Sequence, residues 1–92
     1  MVSYLGKKLT KYEIALLRKL FNHGYIGARH TDETSAIRGF PKHDRGKIKK
    51  ELKKLVKNNL IIEYPSVGQT HVSLNPTKIT AIKSILAEAS KK

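Results

Sequence analysis

The 92-residue sequence contains no cysteine and no tryptophan, and its seven acidic residues face nineteen lysines and arginines. Without cysteine there is no disulfide framework and no thiolate metal site, which is the pattern of a reduced, cytoplasmic protein. No apolar run approaches the ~18 residues that a membrane-spanning helix needs, and Met1 does not open a signal-peptide pattern, so no membrane partner is expected. The chain also lacks a glycine-rich phosphate loop, an activated Ser or Cys arrangement and a paired-carboxylate constellation. No catalytic residues and no cofactor are therefore expected, and the chain does not read as an enzyme.

What the shortage of acid leaves is charge. The formal net charge is +12 and the pI about 10.1, a balance that attracts polyanions, nucleic acid above all. Residues 1–41 carry a net +4, residues 42–59 a net +6 and residues 60–92 a net +2. Half of the excess thus falls in 18 residues, which creates a directed field where a solubility device would be spread out. Length and a hydrophobic fraction of 39% suit one small core, so residues 1–92 read as one domain.

The charged segment, Asp44 to Asn58, has two opposed faces at helical spacing. At about 100° per residue, Ile48, Leu52, Leu55 and Val56 fall within one arc, while Lys47, Lys49, Lys50, Lys53, Lys54 and Lys57 fill the opposite side. One face packs and the other is a rail of lysine. Only Glu51 sits among those lysines within the helix, so the repulsion is expected to be mostly uncompensated until an external polyanion arrives.

Thr10 followed by Glu13 forms a capping box, and Ile14, Leu17, Leu20 and Phe21 recur at helical spacing until Asn22-His23-Gly24. A first helix is expected over Lys11 to His23. Tyr25 to Arg29 is β-compatible, and Thr31 or Asp32 can cap a short second helix running to Arg38, broken by Gly39-Phe40-Pro41. The lysine-faced helix follows and ends at Asn58-Asn59. Leu60–Tyr64 and Thr70–Leu74 read as strands joined by a five-residue loop, Pro65–Gln69. Asn75-Pro76 then opens a last helix whose Ile79, Ile82, Ile85, Leu86 and Ala89 share a face.

Helix, short strand, helix, helix, hairpin, helix is the element order of the winged helix-turn-helix family, and residues 10–75 resemble it. Glu33–Arg38 corresponds to that family's second helix, Gly39–His43 to its turn, Asp44–Asn58 to its recognition helix and Leu60–Leu74 to its wing. The resemblance, to the small basic winged-helix proteins of archaeal type, implies an α+β fold with three helices, a two-stranded wing and an extra C-terminal helix at about 76–90. It further implies nucleic-acid binding, with the recognition helix in the DNA major groove. Such domains also serve as RNA-binding and ribosomal modules and as protein-docking modules, so the surface has to decide.

The expected nucleic-acid surface comprises Arg38, Lys42, His43, Arg45, Lys47, Lys49, Lys50, Lys53, Lys54, Lys57, Gln69 and His71. Lysine suits phosphate oxygens, whereas base discrimination leans on Arg, Asn and Gln, so backbone affinity should exceed sequence readout. Lys42, His43 and Arg45 are placed to reach base edges, and Gly46 to admit a close backbone. The wing lacks the usual cation from Pro65 to Thr70, leaving Tyr64, Ser66, Gln69, Thr70 and His71 as donors and Val67 at the tip. A second cationic group, Arg29, His30 and Arg38, either flanks the same groove or is merely solvated. His43-Asp44 resembles the HD dyad of metal-dependent phosphohydrolases, but further ligands do not follow at useful spacing, so no metal is expected. The long apolar face of the last helix, together with Val2, Tyr4 and Leu5, suggests either a homodimer interface or closure over the monomer's own core. Duplex DNA is the preferred partner and a transcriptional regulator or chromosome-associated factor the expected role.

Overall fold

The computed structural model describes residues 3–91 and is mixed α+β, with four helices and two small antiparallel sheets. A two-residue hairpin opens the chain, β1 (Ser3–Tyr4) with β2 (Lys7–Lys8), turned at Leu5 and Gly6. Helix α1 (Lys11–Asn22) begins at the expected capping box: the Thr10 hydroxyl accepts from the Glu13 amide at 3.1 Å and the Glu13 carboxylate accepts from the Thr10 amide at 2.9 Å. Strand β3 (Thr31–Asp32) runs directly into the five-residue helix α2 (Glu33–Ile37), capped by Asp32. A 3₁₀ turn, Lys42–Asp44, leads into α3 (Arg45–Lys57), and Asn59 then adopts a left-handed φ of 65° that sends the chain into the hairpin of β4 (Ile61–Ser66) and β5 (Gln69–Leu74). After a 3₁₀ turn, Pro76–Lys78, capped by Asn75, helix α4 (Ile79–Ser90) closes the fold.

Several details differ from the sequence expectation. The strand expected at Tyr25–Arg29 is displaced to Thr31–Asp32, where β3 pairs with β5; Ile26 makes only an isolated bridge to Leu74. Gly24 and Gly27 both take positive φ, 72° and 61°, and so interrupt extended backbone. The hairpin loop is two residues, not five, because pairing continues through Pro65↔Thr70 and Ser66↔Gln69. Proline is tolerated there because the strand order β3-β5-β4 makes β4 an edge, and Gly68, at φ 80°, supplies the tight corner. Lastly, the α-helical turns after Asn75-Pro76 begin only at Ile79.

The core gathers Leu16, Leu17 and Leu20 of α1, Ile48, Leu52 and Leu55 of α3, Leu60 and Ile61, Val72 and Leu74, and Ile82, Ile85 and Leu86 of α4. Leu16 replaces Ile14 and Phe21, which are only half-buried, as a central residue of α1. Of the two readings of the α4 face, dimer surface or closure over the chain's own core, burial within the chain fits the second: Ile82 is fully buried, Ile85 and Leu86 nearly so, and the Arg18 guanidinium donates to the Leu86 carbonyl and the Ser90 hydroxyl at 3.3 and 2.9 Å. At the other terminus Tyr4 packs on the core and Leu9 is buried, whereas Leu5 is exposed; Val2 lies outside the described residues. No helix among the described residues is long and apolar enough to cross a membrane.

Leu52 is fully buried and Lys53 exposed, so the two positions report the rotation of α3. Leu52→Ala should cost about 2–4 kcal/mol in denaturant unfolding, as a large-to-small change in a packed core. Lys53→Ala removes one exposed ion pair and should cost less than about 1 kcal/mol. Equal costs would mean a differently turned helix.

Candidate nucleic-acid interface

Burial of Ile48, Leu52 and Leu55 turns every lysine of α3 outward, but it does not leave all six unpaired. Lys49 meets Glu33 of α2 at 4.0 Å, Lys53 meets Glu63 of β4 at 3.2 Å and Lys54 meets Glu51 at 3.5 Å. The expectation of uncompensated charge is corrected for Lys49 and Lys53, because acids from neighbouring elements reach the helix, while Lys54 pairs with the Glu51 already expected within it. Glu51 Oε2 is buried without a hydrogen bond, so Lys54 is its charge partner. Lys47, Lys50 and Lys57, with Lys42 in the turn before α3, have no ion-pair partner among the described residues.

The pairing divides the lysine face lengthwise. At 3.6 residues per turn, Lys49 and Lys53 lie within about 40° of each other on the flank nearest Glu33 and Glu63. Lys57, Lys50, Lys54 and Lys47 occupy the next ~80° on the other flank. The second stripe holds the unpaired lysines of α3, Lys47, Lys50 and Lys57, with Lys54 paired to Glu51 among them.

At the start of α3 the expected base-reading group is partly engaged. Arg45 is half-buried and its Nε donates to the Phe40 carbonyl at 3.2 Å, tying helix to turn. With Glu33, Thr34, Ile37, Arg38, Gly46 and Lys49 it lines a cleft of about 290 Å³ between α2 and α3. His43 is exposed and lies 3.6 Å from the Asp44 carboxylate. A side chain at Gly46 would enter open space, so the backbone there is approachable, as expected.

The β4–β5 hairpin offers fewer donors than its sequence suggested. The Tyr64 hydroxyl donates to the Gly27 carbonyl at 3.2 Å and the Ser66 hydroxyl to the Gln69 carbonyl at 3.1 Å. His71 is engaged at one ring nitrogen, its Nδ1 lying 2.9 Å from Nδ1 of His30 so that one ring donates and the other accepts. Gln69 stays exposed and, with Thr70, borders a second cleft against Asp32, Glu33 and Thr34. Since Glu33 and Thr34 line both clefts, the start of α2 stands between the hairpin turn and α3. Val67, at the tip, is fully exposed. Among the described residues no three His, Asp or Glu side chains come together as a metal site.

Two polar devices fix the ends of α2, of which the Asp32 cap was expected from sequence and the Lys19 contact was not. Lys19 of α1 donates to the carbonyls of Ser35 and Ala36, both at 3.0 Å, and to that of Arg38, and its ammonium lies 5.7 Å from the centre of the Phe40 ring. Burial first, and the charge of Arg38 second, push this ammonium below the ordinary lysine range. Asp32 accepts from the Ser35 amide at 2.9 Å and the Ser35 hydroxyl at 2.7 Å. Those bonds, the hydroxyl one foremost, hold its carboxyl below the usual aspartate range.

Comparison with protein-family models, with curated proteins and with solved structures finds no match to this chain. Its site has to be judged on its own chemistry.

Replacing Lys19 with Met keeps the stem but strands three carbonyls at the end of α2, and should cost about 2 kcal/mol, the scale of hydrogen bonds to a charged group. Chemical denaturation measures this directly, and a cost near zero would mean that solvent serves those carbonyls equally well.

Because the folded pKa of Asp32 is depressed, its carboxylate stabilises the fold above the unfolded aspartate value of about 4, and this contribution is lost as pH falls through the lower folded value. Asp32→Asn keeps a capping acceptor but cannot titrate. The stability gap between wild type and Asp32→Asn should therefore be constant at neutral pH and shrink below about pH 4. Urea midpoints taken down the acid range test this, and a gap independent of pH would contradict it.

Proposed function

We propose that this chain is a small winged helix-turn-helix protein that binds nucleic acid through α3. More narrowly, we infer duplex DNA as its partner, bound mainly through phosphates, in the role of a regulator or chromosome-associated factor. The observation that carries this reading is the stripe of α3. Its inward face is fixed by Ile48, Leu52 and Leu55, while Lys47, Lys50 and Lys57 project without ion-pair partners among the described residues. Neighbouring like charges on a helix repel, and a phosphate backbone is the ligand that relieves them together.

Lysines without partnering Arg, Asn or Gln on the stripe argue for affinity with modest base discrimination. Arg45 is the nearest fork that can read guanine, yet one of its donors already holds the turn. The element order supports a winged helix, with β4–β5 as the wing. A lysine face of this kind also suits A-form RNA, so competition between duplex DNA and a structured RNA hairpin discriminates the two.

Four free cations, Lys42, Lys47, Lys50 and Lys57, imply that α3 and the turn before it contribute about −3 to −4 to the log K against log salt slope on random duplex DNA. Removing Lys50 should weaken binding alike on all sequences and lower the slope by about one unit. Titration of duplex, hairpin RNA and single strands at several salt concentrations reads out both. Salt-independent binding, or none at low salt, would overturn the reading; tighter binding to the RNA would replace DNA as the partner.

A further inference from the structure

A cleft of about 310 Å³ lies where the N-terminal hairpin and the start of α1 meet the last turn of α3. Lys7 and Lys8 line it from β2, and Lys54 and Lys57 from α3. Lys7, Lys8 and Lys57 have no ion-pair partner among the described residues. The opposing charge within the lining is Glu13, a nearly buried carboxylate already occupied as acceptor of the Thr10 amide. The hairpin is anchored: Ser3 pairs with Lys8 and Tyr4 with Lys7, Tyr4 packs on the core, and the adjoining Leu9 is buried.

We propose that this cleft seats the phosphate backbone of the bound nucleic acid, so that the N-terminal hairpin is the second clamp beside α3. The inference rests on the reading that α3 binds nucleic acid. The stripe of unpaired Lys47, Lys50 and Lys57, with Lys54 paired to Glu51 among them, leads into the cleft, whereas the other flank meets Glu33 of α2 and Glu63 of β4, which pair with Lys49 and Lys53. The hairpin on that flank has no cation from Pro65 to Thr70, and its Tyr64 and Ser66 hydroxyls donate internally. Lys47 and Lys57 are separated by ten residues, about 15 Å along the helix. That exceeds the ~12 Å width of the major groove, so a helix whose first turns lie over base edges brings its last turn to the backbone at the groove's edge.

Three double variants test the proposal on random duplex DNA across a salt series. Lys7→Ala with Lys8→Ala removes the hairpin's two cations from the cleft, Lys47→Ala with Lys50→Ala strips the first turns of α3, and Lys83→Ala with Lys91→Ala removes the same charge from exposed positions on and just after α4. Loss of two phosphate contacts should weaken the cleft variant about tenfold or more at physiological salt and reduce the slope by about 1 to 2 units, well beyond the α4 control. Circular dichroism and thermal unfolding should leave all three folded, since every substituted residue is exposed. If the cleft variant matches the α4 control while the α3 variant is impaired, the clamp is overturned and the α3 reading stands. If neither is weaker than the control, both are overturned.

Discussion

The rotation of α3 about its own axis is the constraint on which the surface depends. Ile48, Leu52 and Leu55 are fully buried in a core shared with α1, Leu60 and Ile61. Each such side chain is worth about 1.5–3 kcal/mol on burial, so together they outweigh any exposed ion pair several-fold. A turn of one residue, about 100°, would expose leucine and bury lysine. The lysines are therefore where they are because the opposite face has no alternative, and the acids of α2 and β4 then decide which stay free.

Helix α2 is held by different means. Five residues cannot sustain a helix in isolation, and α2 contributes only Ala36 and Ile37 to the core. Its start is fixed by Asp32, which belongs at once to β3 and to the cap, and its end by the Lys19 ammonium on three carbonyls. Gly27 performs a similar task for the sheet: its carbonyl accepts from Tyr64 and Ser73, and its amide donates to Leu74. Polar groups inside the fold thus align α2, α3 and the β4–β5 hairpin, the surfaces that border both clefts on that side.

What could be read from the chain follows the range of each interaction. The capping box at Thr10 and Glu13, the apolar period of α3 and the Asn59 turn are encoded within a few residues, and they appear where the spacing placed them. Glu33 and Lys49 are sixteen residues apart and Glu63 and Lys53 ten, beyond any helical i±4 rule, so their pairing emerges only from the packing of three elements. The same holds for Lys19, an unremarkable surface lysine by sequence, and for His71, whose partner is forty-one residues away. Lys7 and Lys8 form no motif, and only the fold of the N-terminal hairpin carries them to Lys54 and Lys57. The apolar period of α4 was legible, but not its occupant, because a face suited to a second copy is equally suited to α1.

The free stripe has an energetic consequence that joins fold to function. Lys47–Lys50, Lys50–Lys54 and Lys54–Lys57 are three or four residues apart, and each like-charge pair at that spacing costs about 0.2–0.5 kcal/mol. Three such pairs cost on the order of 1 kcal/mol, which the buried leucines of the same helix offset easily but which is still a sizeable share of a small domain's stability. Lys54 recovers part of its share through Glu51, whereas Lys47, Lys50 and Lys57 recover none from the described residues. A polyanion that neutralises the stripe removes the repulsion as it binds and, by linkage, shifts the folding equilibrium in proportion to RT ln(1 + [L]/Kd). On the proposed function, the uncompensated charge is a fold-level cost held in place by Ile48, Leu52 and Leu55 and relieved by the ligand it attracts.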